Sequence, residues 1–486
     1  MGAARRIYKN TVYLGIADIA SKVLQFIVML YAARLLSREQ FGKFSFALSL
    51  SFMLIILADL GINTLLIREV SRDKRIVSRY FMNALLAKIM LSFFAFLATV
   101  VALNLMSYPS DTKHIAYLIC LFTILSTFTE LCYSVFRAFE MMFYDALLKI
   151  TRMVLLTALS LYVLIKGYGV VAFSYTFVLV EIIIVFIAFF IALKKFIKPQ
   201  FSMSFSFIGS MLKKAIPFGL AFVFGSIYFF IGSVMLSKIK GDSQVAVYSV
   251  AYNIALAILF IPTVYTNAIY PALSRYYRQD NAKLKILYEK SFKYLYIIGL
   301  PISIGLYLLA QRILFFFYGA SYSESALPLQ IISWYLFIKF INFLLGIVLY
   351  SIDGQARRMT GQGATAAFNV AVNLLLIPKF GYIGAAWATF VTEIFLFAVY
   401  YWYVSKSLYF YNFGGILLKP AVAAFAMFLL IKFTNFGLVF TVLFSAISYF
   451  AALFLLKALD EGDYAIIKSI FGNEKKTLKK SILRKN

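Results

Sequence analysis

Hydrophobic residues run along this chain in about 14 stretches, each near 20 residues long and separated by short polar segments. Clear examples are residues 85–105, 175–193 and 440–456. The hydrocarbon core of a bilayer is roughly 30 Å thick, and about 20 apolar residues cross it as an α-helix. Because backbone polar groups in lipid must bond internally, serial stretches of this length predict a helix bundle. The pattern therefore predicts an all-α, polytopic membrane protein with about 14 transmembrane helices.

An internal repeat relates the second predicted span to the eighth. Residues 40–47 read Gln-Phe-Gly-Lys-Phe-Ser-Phe-Ala, and residues 244–251 read Gln-Val-Ala-Val-Tyr-Ser-Val-Ala. The sixth and twelfth spans show a similar relation, because Gly169 precedes Glu181 by the same interval that separates Gly381 from Glu393. Six spans separate the copies, and an even number preserves orientation. The repeat therefore predicts two pseudo-symmetric six-helix lobes around an axis along the membrane normal.

This repeat gives the predicted domain organisation. The expected units are an N-lobe over 1–195, a C-lobe over 196–404, two further helices over 405–458 and a basic cytoplasmic tail over 459–486. Two lobes related in this way enclose a cleft, which is the architecture of an alternating-access transporter with its site near mid-membrane.

The charge of the chain fixes the expected orientation. The 486 residues carry a net charge of +27, although only 14% are charged and 63% are hydrophobic. With the N-terminus inside, the predicted inner segments hold 34 of the 47 Lys and Arg residues and the outer segments hold 10. Lys and Arg are retained on the cytoplasmic side of membrane proteins. We therefore expect a multi-pass plasma-membrane protein with both termini in the cytoplasm, and no nucleic-acid partner.

Ionisable and polar side chains recur at helical spacing within four predicted spans. Such groups are expensive in lipid and usually face a wet cavity or a partner. They are Asp18, Lys22 and Gln25 on the first span, Glu130 on the fourth, Lys339 and Asn342 on the tenth, and Arg358, Gln362, Asn369 and Asn373 on the eleventh. Lys88 stands alone on the third span. Asp18 and Lys22 have the spacing and order that favour an ion pair within one helix.

Each of these polar faces has two interpretations at this point. Asn and Thr side chains often join membrane helices by hydrogen bonds, without any substrate. The charged residues favour a cavity lining. Glu181 and Glu393 are open between a structural role at equivalent positions and a role in the cavity.

Several short motifs resemble a known family. They are residues 33–42 (Ala-Arg-Leu-Leu-Ser-Arg-Glu-Gln-Phe-Gly), Asp59-Leu60-Gly61 with Ile67-Arg68-Glu69, Pro217-Phe218, Tyr270-Pro271-Ala272-Leu273-Ser274, and residues 373–378 (Asn-Leu-Leu-Leu-Ile-Pro) with 381–386 (Gly-Tyr-Ile-Gly-Ala-Ala). In this order the motifs resemble the polysaccharide-transporter branch of the multidrug/oligosaccharidyl-lipid/polysaccharide (MOP) exporter superfamily, the Wzx-type oligosaccharide flippases. The resemblance covers roughly residues 5–460.

The resemblance implies a MATE-like fold and movement of a polyprenyl-(pyro)phosphate-linked oligosaccharide to the outer leaflet. A phosphate head group needs cations, for which Lys22, Lys88, Lys339 and Arg358 are the candidates. The sugar candidates are Gln25, Asn342, Gln362, Asn369 and Asn373. Asp18 and Glu130 are the candidate ion-coupling residues. The drug-exporting branch often uses an acid on its first span, where Asp18 lies.

Two other functions remain as alternatives. A cation-coupled exporter of drugs or metabolites is expected to have an acidic or aromatic cleft. A membrane glycan polymerase or ligase is expected to carry a large outer loop, and every predicted outer loop is short. We expect no enzyme activity, no catalytic residues, no metal site and no cofactor beyond a coupling H+ or Na+. The expected partners are the lipid-linked oligosaccharide and membrane lipid. The chain is expected to be a monomer, and association with a glycan polymerase or ligase is left open.

Overall fold

The computed structural model describes residues 3–198, 204–408, 414–434, 436–460 and Asp463, and no β-strand occurs among them. Two 3-10 turns, Lys74–Ile76 and Ala320–Ser325, join longer helices. In chain order the α-helices are α1 Ala3–Leu35, α2 Arg38–Leu54, α3 Ile56–Asp59, α4 Ile62–Arg72, α5 Val77–Leu105, α6 Ser110–Ala138, α7 Met142–Ile165, α8 Gly169–Lys195, α9 Phe205–Lys240, α10 Asp242–Ile258, α11 Phe260–Gln279, α12 Asn281–Tyr318, α13 Ala326–Ser351, α14 Gln355–Ser407, α15 Gly414–Phe433 and α16 Leu438–Leu455.

Twelve helical segments of this described part are long and apolar enough to cross a membrane. The predicted all-α membrane fold is therefore confirmed, whereas the number fourteen stays a prediction. One of the twelve, α14, has 53 residues. It would be about 80 Å long if straight, far more than a bilayer needs.

Helix α14 is in fact a hairpin with two antiparallel arms. Gly381 interrupts it with φ 56° and ψ −131°, a combination open essentially only to glycine. Side chains then pair across the arms: Thr360 with Tyr403 at 3.2 Å, and Asn369 with Thr392 at 3.0 Å. The first arm (355–380) and the second arm (382–407) correspond to the predicted eleventh and twelfth spans.

The backbone irregularities repeat with the spacings of the sequence. The helix break at Ile55, between α2 and α3, recurs at Leu259, between α10 and α11, at the same offset that relates Gln40 to Gln244. Gly169 and Gly381, which start the matched segments of the sixth and twelfth spans, both have positive φ. Because these irregularities depend on local backbone geometry, their repetition supports the internal duplication independently of side-chain similarity.

Helix α2 lies between the two halves of the chain and packs on both α9 and α10. The halves are also joined at the end of the bundle where α1 turns into α2. There Arg34 donates a hydrogen bond to the Phe316 carbonyl at 2.9 Å, and Arg38 pairs with Glu324 at 3.2 Å. Phe26 and Phe317 meet edge to face, with ring centroids 5.6 Å apart. We call this the latched end.

The opposite part of α1 packs on α7 but is not covered by the second half of the chain. The hydrogen bonds, ion pairs and ring contacts that the structure gives α1 toward the second half all lie at or beyond Phe26. Val28 is buried, whereas Ile16 and Val23 are more than half exposed. Helix α11 also has few buried residues, and its Val264 is 49% exposed. We call the end that holds this part of α1 and α11 the open end.

The last two helices pack on each other and on α12. Asp463 extends this contact, because its carboxylate accepts bonds from Lys293 at 2.5 Å, Tyr294 at 2.6 Å and Lys290 at 2.9 Å. Burial raises the pKa of Asp463, but these hydrogen bonds outweigh burial and hold that pKa below its usual range. Apart from Asp463, the predicted tail beyond residue 460 lies outside the described residues, and the predicted domain boundaries stay predictions.

Candidate functional site

Glu393, on the second arm of α14, is the centre of a buried polar cluster in the second half of the chain. Its carboxylate accepts a hydrogen bond from Asn342 Nδ2 at 2.6 Å and a further bond from the Tyr228 hydroxyl. Lys339 Nζ lies 3.2 Å from the same carboxylate, with the rings of Tyr228 and Phe229 4.6 and 4.8 Å away. The predicted head-group residue Lys339 is therefore enclosed and already neutralised. The predicted sugar residue Asn342 is one of its partners.

Two further predicted sugar residues form a ladder on the first arm of α14. Asn373 donates to Asn369 Oδ1 at 3.0 Å, and Asn369 donates to Thr392 at 3.0 Å. Both asparagines are buried, and Asn373 Oδ1 has no partner among the described residues. Both line a small cavity together with Tyr248 and Tyr252, which holds about one water molecule. The ladder thus lies inside the second half, away from the open end of the bundle.

Arg358 and Gln362, the other two candidates on the same arm, are each partly buried. The Arg358 guanidinium lies 4.0 Å from the centre of the Tyr350 ring, and its Nε has no hydrogen-bond partner. No ion pair forms between Arg358 and a carboxylate in the described part of the chain. Arg358 therefore keeps its charge available for a ligand.

The surroundings of Lys88 suit a structural role. Its side chain is fully buried, and Nζ lies 2.6 Å from Asp59 Oδ1. Asp59 ends α3, where Leu60 and Gly61 both adopt positive φ, and its other oxygen accepts from the Gly61 amide. The pair fixes the irregular end of the second span. As a head-group ligand, Lys88 stays a prediction.

The predicted ion pair between Asp18 and Lys22 is wrong. Asp18 is 55% exposed and instead pairs across the helix interface with Lys149 of α7 at 3.1 Å. An exposed pair within one helix is worth only a few tenths of a kcal/mol, so a competing partner on a packed helix displaces it. Lys22 and Gln25 are exposed, and neither has a hydrogen bond or ion pair within the described residues.

The two predicted ion-coupling residues lie at opposite ends of one chain of ion pairs. Lys149 also contacts Asp145 at 3.3 Å, and Asp145 accepts from Arg137 at 2.6 Å. Arg137 then contacts Glu130 at 3.2 Å. Asp18 and Glu130 are thus connected through residues that the sequence interpretation did not select. As coupling residues, both stay predictions.

These intermediate residues were missed because residues 137–152 were assigned to one of the predicted inner segments rather than to a span. The turn between α6 and α7 spans only residues 139–141, so Asp145, Lys149 and Arg152 belong to α7. Their spacings of four and three place them on one helical face. This spacing is the feature of the sequence from which the charged face of α7 could have been predicted.

The two repeated glutamates have related surroundings. Glu181 is fully buried and accepts a hydrogen bond from Thr129 of α6 at 2.6 Å, while Arg152 lies 3.6 Å away. Glu393 is bonded in the same way to Asn342 of α13, the repeat counterpart of α6. Each glutamate therefore ties the last helix of its six-helix half to the fourth and holds one cation. This geometry favours the structural interpretation of both residues.

Among the described residues, no group of three or more His, Cys, Asp or Glu side chains could hold a metal ion. The arrangement offers cations of two kinds. Lys88 and Lys339 are enclosed and paired, whereas Lys22 and Arg358 face accessible space without a carboxylate.

Comparison with known proteins agrees with this architecture. The family described as "Polysaccharide biosynthesis protein" matches residues 7–277, and the MatE family matches residues 217–375. The capsular polysaccharide biosynthesis protein CapF of Staphylococcus aureus is 23% identical over 413 residues, which is 82% of this chain and 99% of CapF.

Two solved structures share the fold. The inward closed conformation of the lipid II flippase MurJ gives a TM-score of 0.74 at 17% identity, covering 90% of this chain and 97% of MurJ. An inward-facing multidrug resistance MATE family transporter of the MOP superfamily gives 0.66 at 16% identity, covering 79% and 94%. The family match spans more than half of the chain, and the fold agrees with it. The chain therefore belongs to the polysaccharide biosynthesis protein family, the polysaccharide-transporter branch of the MOP superfamily.

Proposed function

We propose that this protein is a flippase that moves a polyprenyl-(pyro)phosphate-linked oligosaccharide from the cytoplasmic to the outer leaflet for cell-surface glycan assembly. The observation that carries the proposal is the one-sided closure of the two halves. Arg34 and Arg38 join the halves at the latched end, while the Lys22 region of α1 has no hydrogen bond or ion pair to the second half at the open end. This is the arrangement of one state of an alternating-access cycle.

The shape of the opening fits a lipid-linked substrate. The open-end part of α1 and α11 lies at the edge of the bundle, where exposed apolar residues such as Ile16 and Val264 suit contact with lipid. A polar head group enters between the halves there while its hydrocarbon tail stays in the bilayer. A substrate that is wholly water-soluble needs no such lateral opening.

The available charges fit an anionic head group. Lys22 and Arg358 lack carboxylate partners, whereas Asp18, Glu130 and Glu393 are already paired with cations. An exporter of cationic drugs needs free acids, so this distribution disfavours the second candidate function. The names of CapF, a capsular polysaccharide protein, and of MurJ, a lipid II flippase, agree with a saccharide on a lipid carrier.

The orientation and coupling belong to the same proposal. The excess of Lys and Arg in the predicted inner segments puts the open end at the cytoplasm and the latched end outside, in a plasma-membrane protein. Protonation of Asp18 or Glu130, or Na+ binding there, would disturb the ion-pair chain between them and so couple an ion gradient to movement of α1 against α7.

The test is a flipping assay with purified full-length protein in vesicles. The substrate is a polyprenyl pyrophosphate disaccharide with a fluorescent group on the sugar, and a membrane-impermeant quencher reports its outer-leaflet fraction. We expect protein-dependent exchange of the labelled lipid between leaflets. No exchange of this lipid, together with protein-dependent transport of a cationic dye, would establish the drug-exporter alternative instead.

A further inference from the structure

Helices α1 and α7 pack side by side in a parallel register. The rings of Tyr13 and Phe143 lie 5.7 Å apart, and Asp18 and Lys149 are 3.1 Å apart. The two residues of each contact are almost the same number of residues apart in the sequence. The contact further along α1 is also further along α7, so the two helices run in the same direction. One helical turn further along, the same register places Lys22 level with Arg152.

Arg152 has more hydrogen-bond donors than its one acidic partner, Glu181, can accept from. A guanidinium carries five N–H groups. Its side chain is 28% exposed, and its one ion contact is Glu181 at 3.6 Å, without a hydrogen bond. The other Glu181 oxygen already accepts from Thr129 at 2.6 Å. An ionised group at membrane depth costs free energy unless a partner or water solvates its charge. Arg152 can therefore bind a ligand in addition to Glu181.

Lys22 completes a pair of available cations. The acid four residues before it, Asp18, is bound to Lys149, and Lys149 is further neutralised by Asp145. Lys22 is thus left exposed and without an ion pair among the described residues. The face shared by α1 and α7 therefore carries two cations at one level. Lys22 has no acidic partner among the described residues, and Arg152 has one, Glu181 at 3.6 Å.

The second half of the chain contains the equivalent glutamate–cation pair in an enclosed form. There the repeated glutamate, Glu393, holds Lys339, whose side chain is 7% exposed and surrounded by aromatic rings. An anion cannot reach Lys339 without unpacking this cluster. Only the first half offers its glutamate-held cation to an accessible space.

We propose that Lys22 and Arg152 form the site that binds the phosphate or pyrophosphate of the substrate, with Glu181 and Thr129 as positioning residues for Arg152. This inference deepens the proposed function and rests on it. The guanidinium fork suits two oxygens of one phosphate, and the flexible ammonium suits a neighbouring oxygen as a point charge. Such a site lies on the open side of the bundle, where a head group first enters.

The test is binding of farnesyl pyrophosphate, a short soluble analogue, to the full-length protein in detergent, with farnesol and inorganic pyrophosphate as comparison ligands. We expect Arg152→Gln and Lys22→Gln each to weaken farnesyl pyrophosphate binding about 10- to 150-fold, the range for loss of one charge-assisted bond. Lys240→Gln, which removes an exposed charge beside the loop between α9 and α10, is the matched control and should bind as wild type. Arg152→Lys keeps the charge but loses the fork, so we expect an intermediate affinity.

The outcomes separate the site from the function. If the wild-type protein flips the labelled lipid but Arg152→Gln and Arg152→Lys both bind farnesyl pyrophosphate normally, the site assignment is wrong and the function stands. If the wild-type protein neither binds the pyrophosphate nor flips the lipid, both proposals fail. Should Arg152→Gln not fold, wild-type affinity in the folded Arg152→Lys variant still overturns the assignment, because a point charge cannot replace the fork at a bidentate site.

Discussion

Lys339 and Arg358 carry the same charge but have opposite surroundings. Lys339 is buried against Glu393, whereas Arg358 stacks on Tyr350 and leaves a buried N–H without a partner. A buried ion pair is sensitive to the loss of one member because the other is left charged in a poor solvent. Substitution of a cation without an ion pair should instead change ligand binding more than stability. The two residues should therefore respond to substitution in different assays.

Lys339→Ala should destabilise the fold by about 3–5 kcal/mol, because it leaves Glu393 uncompensated. The measurement is thermal unfolding of the purified protein in detergent. The double variant Lys339→Met with Glu393→Gln should recover most of the loss, since it removes both charges and keeps an amide for Asn342. A single variant as stable as the wild type would show that the pair contributes nothing to the fold.

Arg358→Ala should reduce flipping of the labelled polyprenyl pyrophosphate lipid about 10- to 150-fold at low substrate, if one charge-assisted bond of ~1.5–3 kcal/mol is lost. Arg358→Lys should recover activity only in part, because it lacks the planar fork. The neighbouring Arg357 bonds to Ser407 and is exposed, so Arg357→Ala is the control and should remain active. Equal rates for all three variants would remove Arg358 from the substrate path.

At this scale the sequence identified charged residues at membrane depth but not their partners. Charge at membrane depth was enough to select Lys88 and Lys339, but their partners Asp59 and Glu393 lie on other helices. Pairing across helices depends on rotation and register, which no local pattern contains. The Asp18–Lys22 error has the same origin, since Lys149 of α7 lies within reach of Asp18.

Equivalent helices of the two halves share their backbone irregularities, but equivalent side chains make different hydrogen bonds. Gln40 and Gln244 are repeat counterparts, yet Gln40 closes a capping box with Ser37 at the start of α2. Gln244 instead accepts a hydrogen bond from the Tyr382 amide, next to the α14 hairpin bend at Gly381. The offset between the two copies was readable from sequence. The breaks at Ile55 and Leu259 were not, because neither residue has an unusual conformational preference.

Gly381→Ala should destabilise the protein more than Gly169→Ala does. Both positions have positive φ, but a methyl group at Gly381 would overlap the Gln244 amide, while the space around Gly169 is open. Strain at Gly381 alone costs roughly 1–3 kcal/mol, and the overlap adds to it. Thermal unfolding of the two variants makes the comparison, and adding Gln244→Ala to Gly381→Ala should recover part of the loss. Equal melting temperatures for Gly169→Ala and Gly381→Ala would contradict the contact.

The whole molecule has one latched end and one open end, and in the proposed orientation the open end faces the cytoplasm. The orientation is predicted from the sequence alone, because Lys and Arg retention acts on loops, whatever their tertiary contacts, and it stays a prediction. The state of the cleft could not be predicted, since a sequence encodes every state of the cycle and a structure shows one.

The proposed orientation predicts which positions can be labelled from outside the cell. In intact cells, a cysteine introduced for Glu324, which is 52% exposed at the latched end, should react with a membrane-impermeant maleimide. A cysteine introduced for Lys283, beside the start of α12, should react only after the membrane is permeabilised. The native Cys120 and Cys132 are buried and provide little background. Labelling of the Lys283 position in sealed cells would reverse the orientation.

The central claim is that transport requires the two halves to separate at the latched end. Arg38 and Glu324 face each other there, so the variant Arg38→Cys with Glu324→Cys can be joined by a short, reducible bis-methanethiosulfonate linker. The measurement is flipping of the fluorescent polyprenyl pyrophosphate disaccharide in vesicles before linking, after linking and after reduction. The account predicts that linking lowers flipping to the protein-free rate, that reduction restores it, and that either single-cysteine variant is unaffected. Flipping by the fully linked protein at the unlinked rate would contradict the account.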